Sequence, residues 1–221
     1  MDGLAERLVE VRTRIARAAD RARRDPAQIL LLAVTKVFPA EAIQNAYDLG
    51  LREFGENYGQ EFEGKAPSVS GLAGARYHLI GHLQSNKAAK AAELFQVVQT
   101  VDSAKLARRL NDAGRTLDIM LEVKLSDEEA KSGVDPDAVP ELIEAVKQYP
   151  NLRLRGLMTM PPWSEDPEAP RGIFRKLREL AEAHGLTELS MGMSNDLETA
   201  IEEGSTCVRV GTALFGKRKK A

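Results

Sequence analysis

The chain has 221 residues, 43% of them hydrophobic, which is enough to bury a core without metals or cross-links. Its 31 lysines and arginines nearly balance 33 aspartates and glutamates, so the formal net charge is −2 and no global basic field points to nucleic acid. The single cysteine, Cys207, excludes an intramolecular disulfide and any multi-cysteine metal site, and suits a reducing cytoplasm.

Leu4, Leu8, Val11, Ile15 and Ala18 recur in steps of four and three, so Met1 to Arg24 predicts an amphipathic helix packed on the rest of the protein within residues 1–25. The stretch lacks the apolar region of a secretory signal and the length of a membrane span, and Asp2, Glu6, Glu10 and Asp20 argue against a transit peptide. No membrane attachment is expected.

Leu31-Leu32-Ala33-Val34-Thr35-Lys36-Val37-Phe38-Pro39 is an apolar, partly β-branched run that predicts a strand buried on both faces and ending at Lys36, before a proline suited to open a helix. An unpaired ammonium in a core is costly, so Lys36 reads either as a lysine whose head reaches water or as a chemical group. At the carboxyl end of a strand, where α/β proteins bind ligands, a lysine amine can attack a carbonyl to form a Schiff base.

A helix from Pro39 carries Ala42, Ile43, Ala46 and Tyr47 on one face and stops at Gly50. Further strands are predicted over Glu53–Glu56, Arg76–Leu83, Val97–Val101, Leu117–Leu125, Leu152–Met160, Leu189–Met193 and Cys207–Phe215. Helices are expected after Asn57, over Lys87–Leu94, from Ser103 to Gly114, and over Asp137–Tyr149, Ile173–His184 and Asp196–Glu203. The strand ends fall at Lys36, Asn57, His82, Asp102, Lys124, Met160, Met193 and Gly211, spaced by roughly 25 residues, which fits an α/β fold of a (β/α)8 TIM barrel type. A doubly wound open sheet gives the same alternation, but the count of eight and the lack of a G-x-G-x-x-G fingerprint favour the barrel. No boundary divides the chain, so residues 1–221 are expected to form one domain. Loops are expected at Gly64–Ala75, Ser126–Pro136 and Pro161–Pro170, the last two on the strand-end side.

A barrel makes its strand ends neighbours. Ser190-Met191-Gly192-Met193-Ser194-Asn195-Asp196 enters a helix through small polar residues, any of which can cap it, yet such a terminus is also an anion site. Gly211 and Thr212 follow the last strand, and a barrel commonly holds phosphate between the loops after strands seven and eight. Alternation turns Arg209 inward if Val208 and Val210 face the helices, where it needs either a carboxylate such as Glu56 or Asp102 or a ligand. His78, His82 and His184 form no metal-binding pattern, and the basic tail, residues 217–221, reads as a solvated end with no nucleic-acid role.

The segments Ala33-Val34-Thr35-Lys36, Phe54-Gly55-Glu56-Asn57-Tyr58, His78-Leu79-Ile80-Gly81-His82-Leu83-Gln84-Ser85-Asn86-Lys87, Gly156-Leu157-Met158-Thr159-Met160, Ser190 to Asp196 and Gly204 to Thr212 resemble the YggS/PROSC family of pyridoxal phosphate homeostasis proteins, in the family order and across nearly the whole chain. The resemblance implies a fold-type III barrel like the N-terminal domain of alanine racemase, without that enzyme's second domain. It implies pyridoxal 5′-phosphate (PLP) held on Lys36 as a Schiff base, with phosphate at Ser194, Gly211 and Thr212, Asn57 near the ring and Arg209 facing the pyridine nitrogen. With the strand-end residues His82, Met193 and Asn195 added, the full cofactor-binding set expected is Lys36, Asn57, His82, Met193, Ser194, Asn195, Arg209, Gly211 and Thr212, with no catalytic residue and no metal. The implied role is cytoplasmic storage and delivery of PLP and related B6 vitamers, with PLP-dependent apo-enzymes as candidate recipients, by a monomer that is not an enzyme. The alternative is a PLP-dependent amino-acid racemase or decarboxylase. Two departures stand out: Asn195 replaces the usual Ala, Ser or Asp, and Lys124 replaces a common asparagine, bringing a second amine near the barrel mouth.

Overall fold

The computed structural model describes residues 3–126 and 132–216. Helix α1 (Leu4–Arg21) precedes the strands β1 (Leu30–Val34), β2 (Glu53–Glu56), β3 (Arg76–Leu79), β4 (Val97–Val101), β5 (Leu117–Glu122), β6 (Leu152–Met158), β7 (Glu188–Met193) and β8 (Cys207–Val210). They alternate with α2 (Ala40–Asp48), α3 (Gly59–Val69), α4 (Ala88–Leu94), α5 (Ala104–Asn111), α6 (Val139–Lys147), α7 (Arg171–Ala183) and α8 (Leu197–Glu202), and α9 (Thr212–Phe215) follows β8. Each strand runs parallel to the next, and β8 returns to β1 with Leu31 beside Val208 and Leu32 beside Arg209, closing the (β/α)8 barrel. No helix among the described residues is long and apolar enough to cross a membrane.

Alternation sorts the strand residues as the period of two requires. Ala33, Val208 and Val210 join the large core between sheet and helices, whereas Leu32, Val34, Ile80 and Cys207 form a separate small cluster inside the barrel. Arg209 shares the inward side with Cys207. On α1 the whole stripe of Leu4, Leu8, Val11, Ile15 and Ala18 is buried, and the helix packs against α8 and α9.

Several ends differ from the sequence expectation. Strand β1 stops at Val34, because Thr35–Phe38 forms a tight turn closed by the Phe38 amide donating to Thr35 O at 3.1 Å. Strand β3 stops at Leu79, so His82 lies beyond it in the path to a short 3-10 turn at Ser85–Lys87. The expected last strand over Cys207–Phe215 ends at Val210, and Thr212–Phe215 is helical; an apolar run this short fits either state on pattern alone. Half of the expected Gly64–Ala75 loop belongs to α3, which continues through Pro67 to Val69. That proline removes one backbone donor in the last turn, where the helix is ending anyway. Part of the expected Ser126–Pro136 loop and the whole basic tail lie outside the described residues.

Candidate functional site

The carboxyl ends of the strands open into a cavity of ≈ 700 Å³. Eight of the nine residues singled out in the sequence line it: Lys36, Asn57, Met193, Ser194, Asn195, Arg209, Gly211 and Thr212. His82 does not; its side chain is 56% exposed and Nδ1 lies 3.8 Å from Asp102. Strand β3 ends at Leu79, short of the expected Leu83, and it is Ile80 that reaches the cavity. Of the other lining residues, Met160 was expected as a strand end, whereas Phe38 and Trp163 were not foreseen. Trp163, 74% exposed at the rim, was the most visible missed signal, as the one tryptophan of the chain set in a proline-rich loop.

The turn from β7 into α8 is tied down from several directions. Ser194 Oγ accepts from the Ala213 amide at 3.2 Å, which joins this loop to α9. Asp196 Oδ1 accepts from the Met193 amide at 2.6 Å, and burial pushes its carboxyl pKa up. Asn195 Nδ2 donates to Ser164 O at 3.0 Å, linking the loop to the Pro161–Pro170 segment. From α1, Arg14 grips Glu198 with Nε and Nη2 at 2.6 and 2.8 Å and donates from Nη2 to Ser194 O at 3.0 Å. None of the three polar residues Ser194, Asn195 and Asp196 makes a side-chain cap on α8; their side chains hold the loop instead.

Arg209 is buried, and its partners are not the carboxylates Glu56 or Asp102. Nη1 donates to Ser190 O and Oγ at 2.7 and 2.8 Å, and Nη2 donates to Thr159 O at 2.9 Å. Burial lowers the pKa of the guanidinium, but an arginine stays cationic inside a protein. Ser190 Oγ donates onward to Gln99 Oε1 at 2.7 Å, and Gln99 Nε2 meets His78 Nδ1 at 2.9 Å, while His78 Nε2 faces Glu53 at 2.5 Å. A carboxylate only accepts, so the His78–Glu53 contact has Nε2 as its donor. The thread runs from Arg209 through Ser190, Gln99 and His78 to Glu53, and the three bonds from Arg209 to Ser190 and Thr159 fix the guanidinium plane. Glu56 is occupied elsewhere, by Lys65 at 3.0 Å and by Thr35 Oγ1 at 2.7 Å.

Among the described residues, two buried side-chain oxygens have no hydrogen-bond partner, Asn57 Oδ1 and Glu122 Oε2. Asn57 is one of the residues that line the cavity. Glu122 lies instead in a neighbouring cavity of ≈ 160 Å³ with Lys124, Ser126 and Ser132, and Met160 borders both. Lys124 therefore opens on a different space from Lys36.

Burial, reinforced by Asp102, raises the pKa of Glu122. The folded chain thus holds a proton that the unfolded chain releases above the ordinary glutamate value of about 4.3. Stability from this group is full below that pH and is lost as pH rises through the raised value. Glu122→Gln should therefore melt higher than the unsubstituted protein, with a gain that widens as pH climbs above about 5. Melting curves across pH read this, and a Tm difference independent of pH would contradict it.

An inward-facing cation, a lysine and a bound-down polar loop thus meet at the carboxyl end of a closed parallel barrel. Residues 7–219 match the family described as Alanine racemase, N-terminal domain. The chain is 50% identical to the Pyridoxal phosphate homeostasis protein of Pseudomonas aeruginosa, covering 99% of this chain and 97% of that one. It is 43% identical to the protein of the same name from Escherichia coli K12, covering 99% and 98%. Among solved structures it is similar to PipY of Synechococcus elongatus PCC7942, determined with PLP bound, with a TM-score of 0.85 and 38% identity over 96% of this chain and 100% of that one. The chain belongs to the family of pyridoxal phosphate homeostasis proteins.

Proposed function

We propose that this protein binds PLP in the barrel-mouth cavity and serves its storage and delivery in the cytoplasm, as a single-domain monomer that is not an enzyme. Lys36 Nζ holds the aldehyde carbon as a reversible Schiff base; Ser194, Gly211 and Thr212 hold the phosphate; Asn57 lies by the ring; Arg209 faces the pyridine nitrogen. The observation that carries this reading is the meeting of Lys36 with the Ser194, Gly211 and Thr212 cluster in one cavity. The residues fit the group: the cavity is roomy, and Asn57, whose Oδ1 is buried without a hydrogen-bond partner, is among its lining residues. The relatives' names supply the homeostasis role.

PLP supplies an electron sink for carbanions when its pyridine nitrogen is protonated. Arg209 is a permanent cation tied to Ser190 and Thr159, so it disfavours a second positive charge beside it and weakens that sink. A site of this kind retains the cofactor without promoting chemistry at an amino-acid α-carbon. Borohydride reduction of the PLP-loaded protein followed by peptide mass mapping is expected to label Lys36 and to leave Lys124 unlabelled. Absence of label on Lys36 would overturn the Schiff-base reading, and steady turnover of any amino acid in a broad panel would overturn the non-catalytic one.

Arg14 supplies a test of the phosphate assignment. Arg14→Met keeps the apolar stem on α1 but releases Glu198 and the Ser194 carbonyl. PLP binding should weaken about tenfold, the equivalent of ~1.5 kcal/mol for a charge-assisted hydrogen bond. Binding of pyridoxal, which has no phosphate, should be unchanged. Titration of both vitamers separates the two, and an equal loss for each would remove phosphate from this loop.

A further inference from the structure

Lys36 is the second residue of the Thr35–Phe38 turn, and the third, Val37, has φ = 61°. A turn that needs this left-handed geometry at its third position normally places glycine or asparagine there. For a β-branched residue it is a genuine outlier, and such conformations persist only where the surroundings over-determine them. Packing does not do so here, because Val37 is 51% exposed.

An ionic cluster centred on the buried Lys65 and Glu56 does. The Val37 amide donates to Glu61 Oε1 at 2.7 Å, and Glu61 is held by Lys65 Nζ at 2.5 Å, one turn further along α3. Lys65 is 8% exposed, and its Nζ also donates to Thr35 O at 3.0 Å and to Glu56 Oε1 and Oε2 at 3.0 and 3.2 Å. Thr35 Oγ1 donates to the same Glu56 at 2.7 Å. Lys65 Nζ thus hydrogen-bonds Thr35 and Glu56 and is ion-paired with Glu61. Both neighbours of Lys36 in the chain are bound to this one cluster. None of Lys65, Glu56 or Glu61 lines the cavity, so the cluster cannot act by touching a ligand there.

We propose that Lys65, Glu56 and Glu61 form a clamp that holds the strained Thr35–Phe38 turn and so aims Lys36 into the cavity. The three are positioning residues, and their role rests on the Schiff-base reading of Lys36. In that step the neutral Lys36 amine adds to the aldehyde carbon, a C–N bond forms, and the carbonyl oxygen leaves as water with both amine hydrogens, giving C=N. Borohydride then delivers hydride to that carbon and fixes the link as a secondary amine. A lysine side chain is long and flexible, so the rate of the addition depends on how narrowly the backbone limits where Nζ goes.

The experiment mixes the full chain with PLP, quenches with borohydride at increasing times, and follows the label on Lys36, while ultrafiltration measures total PLP retained. Glu61→Ala removes the acceptor for the Val37 amide and leaves Lys65 paired with Glu56. Labelling should slow about tenfold, within the range a small misplacement of a reacting group produces, with total PLP retained at saturation within about twofold. Combining Glu61→Ala with Val37→Gly should bring the rate back to within about twofold of the unsubstituted chain, since glycine adopts the turn geometry unaided. An unchanged rate in Glu61→Ala overturns the clamp, and so does a slow double variant, which is also what a general folding defect would give. Failure to label Lys36 in the unsubstituted chain is a different outcome, and it overturns the Schiff-base reading beneath the proposal.

Discussion

Lys36→Ala should abolish the visible absorption band expected of the PLP-loaded protein and weaken PLP retention by about 100-fold or more, or ~2.8 kcal/mol on the tenfold per 1.4 kcal/mol scale. The loss should be severe but incomplete. The polar loop from Met193 to Asp196 is held by Ala213, Ser164 and Arg14 and by its own Asp196, none of which depends on Lys36. Arg209 is likewise held by Ser190 and Thr159 whatever occupies position 36. A weak, non-covalent mode of binding should therefore survive, colour-shifted towards free PLP and removable by dialysis. Nor is Lys124 placed to substitute, because it opens on the smaller cavity and shares only Met160 with the larger one. Spectra and equilibrium dialysis on both proteins read the result, and a full band with unchanged affinity in Lys36→Ala would sink the assignment.

Much of the architecture behind this expectation was legible in the chain. Apolar runs recurring at near-even spacing gave the eight strands, and β2 and β4 fall on the residues expected because polar or turn residues bound them on both sides. The inward direction of Arg209 followed from its place between two valines. Its partners did not follow. They are main-chain carbonyls and a serine on β7 and the segment after β6, brought close only by barrel closure, whereas charge pairing alone pointed to Glu56 or Asp102. His82 was displaced by a strand-end error of a few residues, which in a barrel is the difference between the cavity and the rim. The clamp around Lys36 was hidden for another reason. Lys65 sits on a helix of mixed composition, where a lysine ordinarily faces water, and only the approach of β1, β2 and α3 shows that it is buried against Glu56. Val37 is invisible as a strained residue until its backbone is seen, since valine is what a strand end leads one to expect.

Gly81→Ala should destabilise the protein by about 3 kcal/mol or more, at the upper end of what overpacking does. For a chain of this length that is a fall in Tm of about 6–12 °C. A Cβ on Gly81 would lie 2.1 Å from the carbonyl oxygen of Asn57 and 2.8 Å from its carbonyl carbon and Cα, all backbone atoms that no rotamer change can move. Gly81 cannot retreat freely either: its own carbonyl accepts from Thr100 Oγ1 at 2.9 Å, and the preceding Ile80 amide donates to Glu56 O at 2.9 Å. Relief has to come from shifting Asn57, so PLP retention should fall together with stability. Gly64→Ala is the control. It adds the same methyl group within α3, where nothing lies within 4 Å of the new atom, and it should stabilise by about 0.5–1 kcal/mol through the helix preference of alanine. One substitution type thus carries opposite signs at two positions, decided by what faces the missing Cβ. Thermal melts and PLP titrations on the two variants read both signs, and a Gly81→Ala protein as stable as Gly64→Ala would mean that the approach of Asn57 to Gly81 is not maintained in solution.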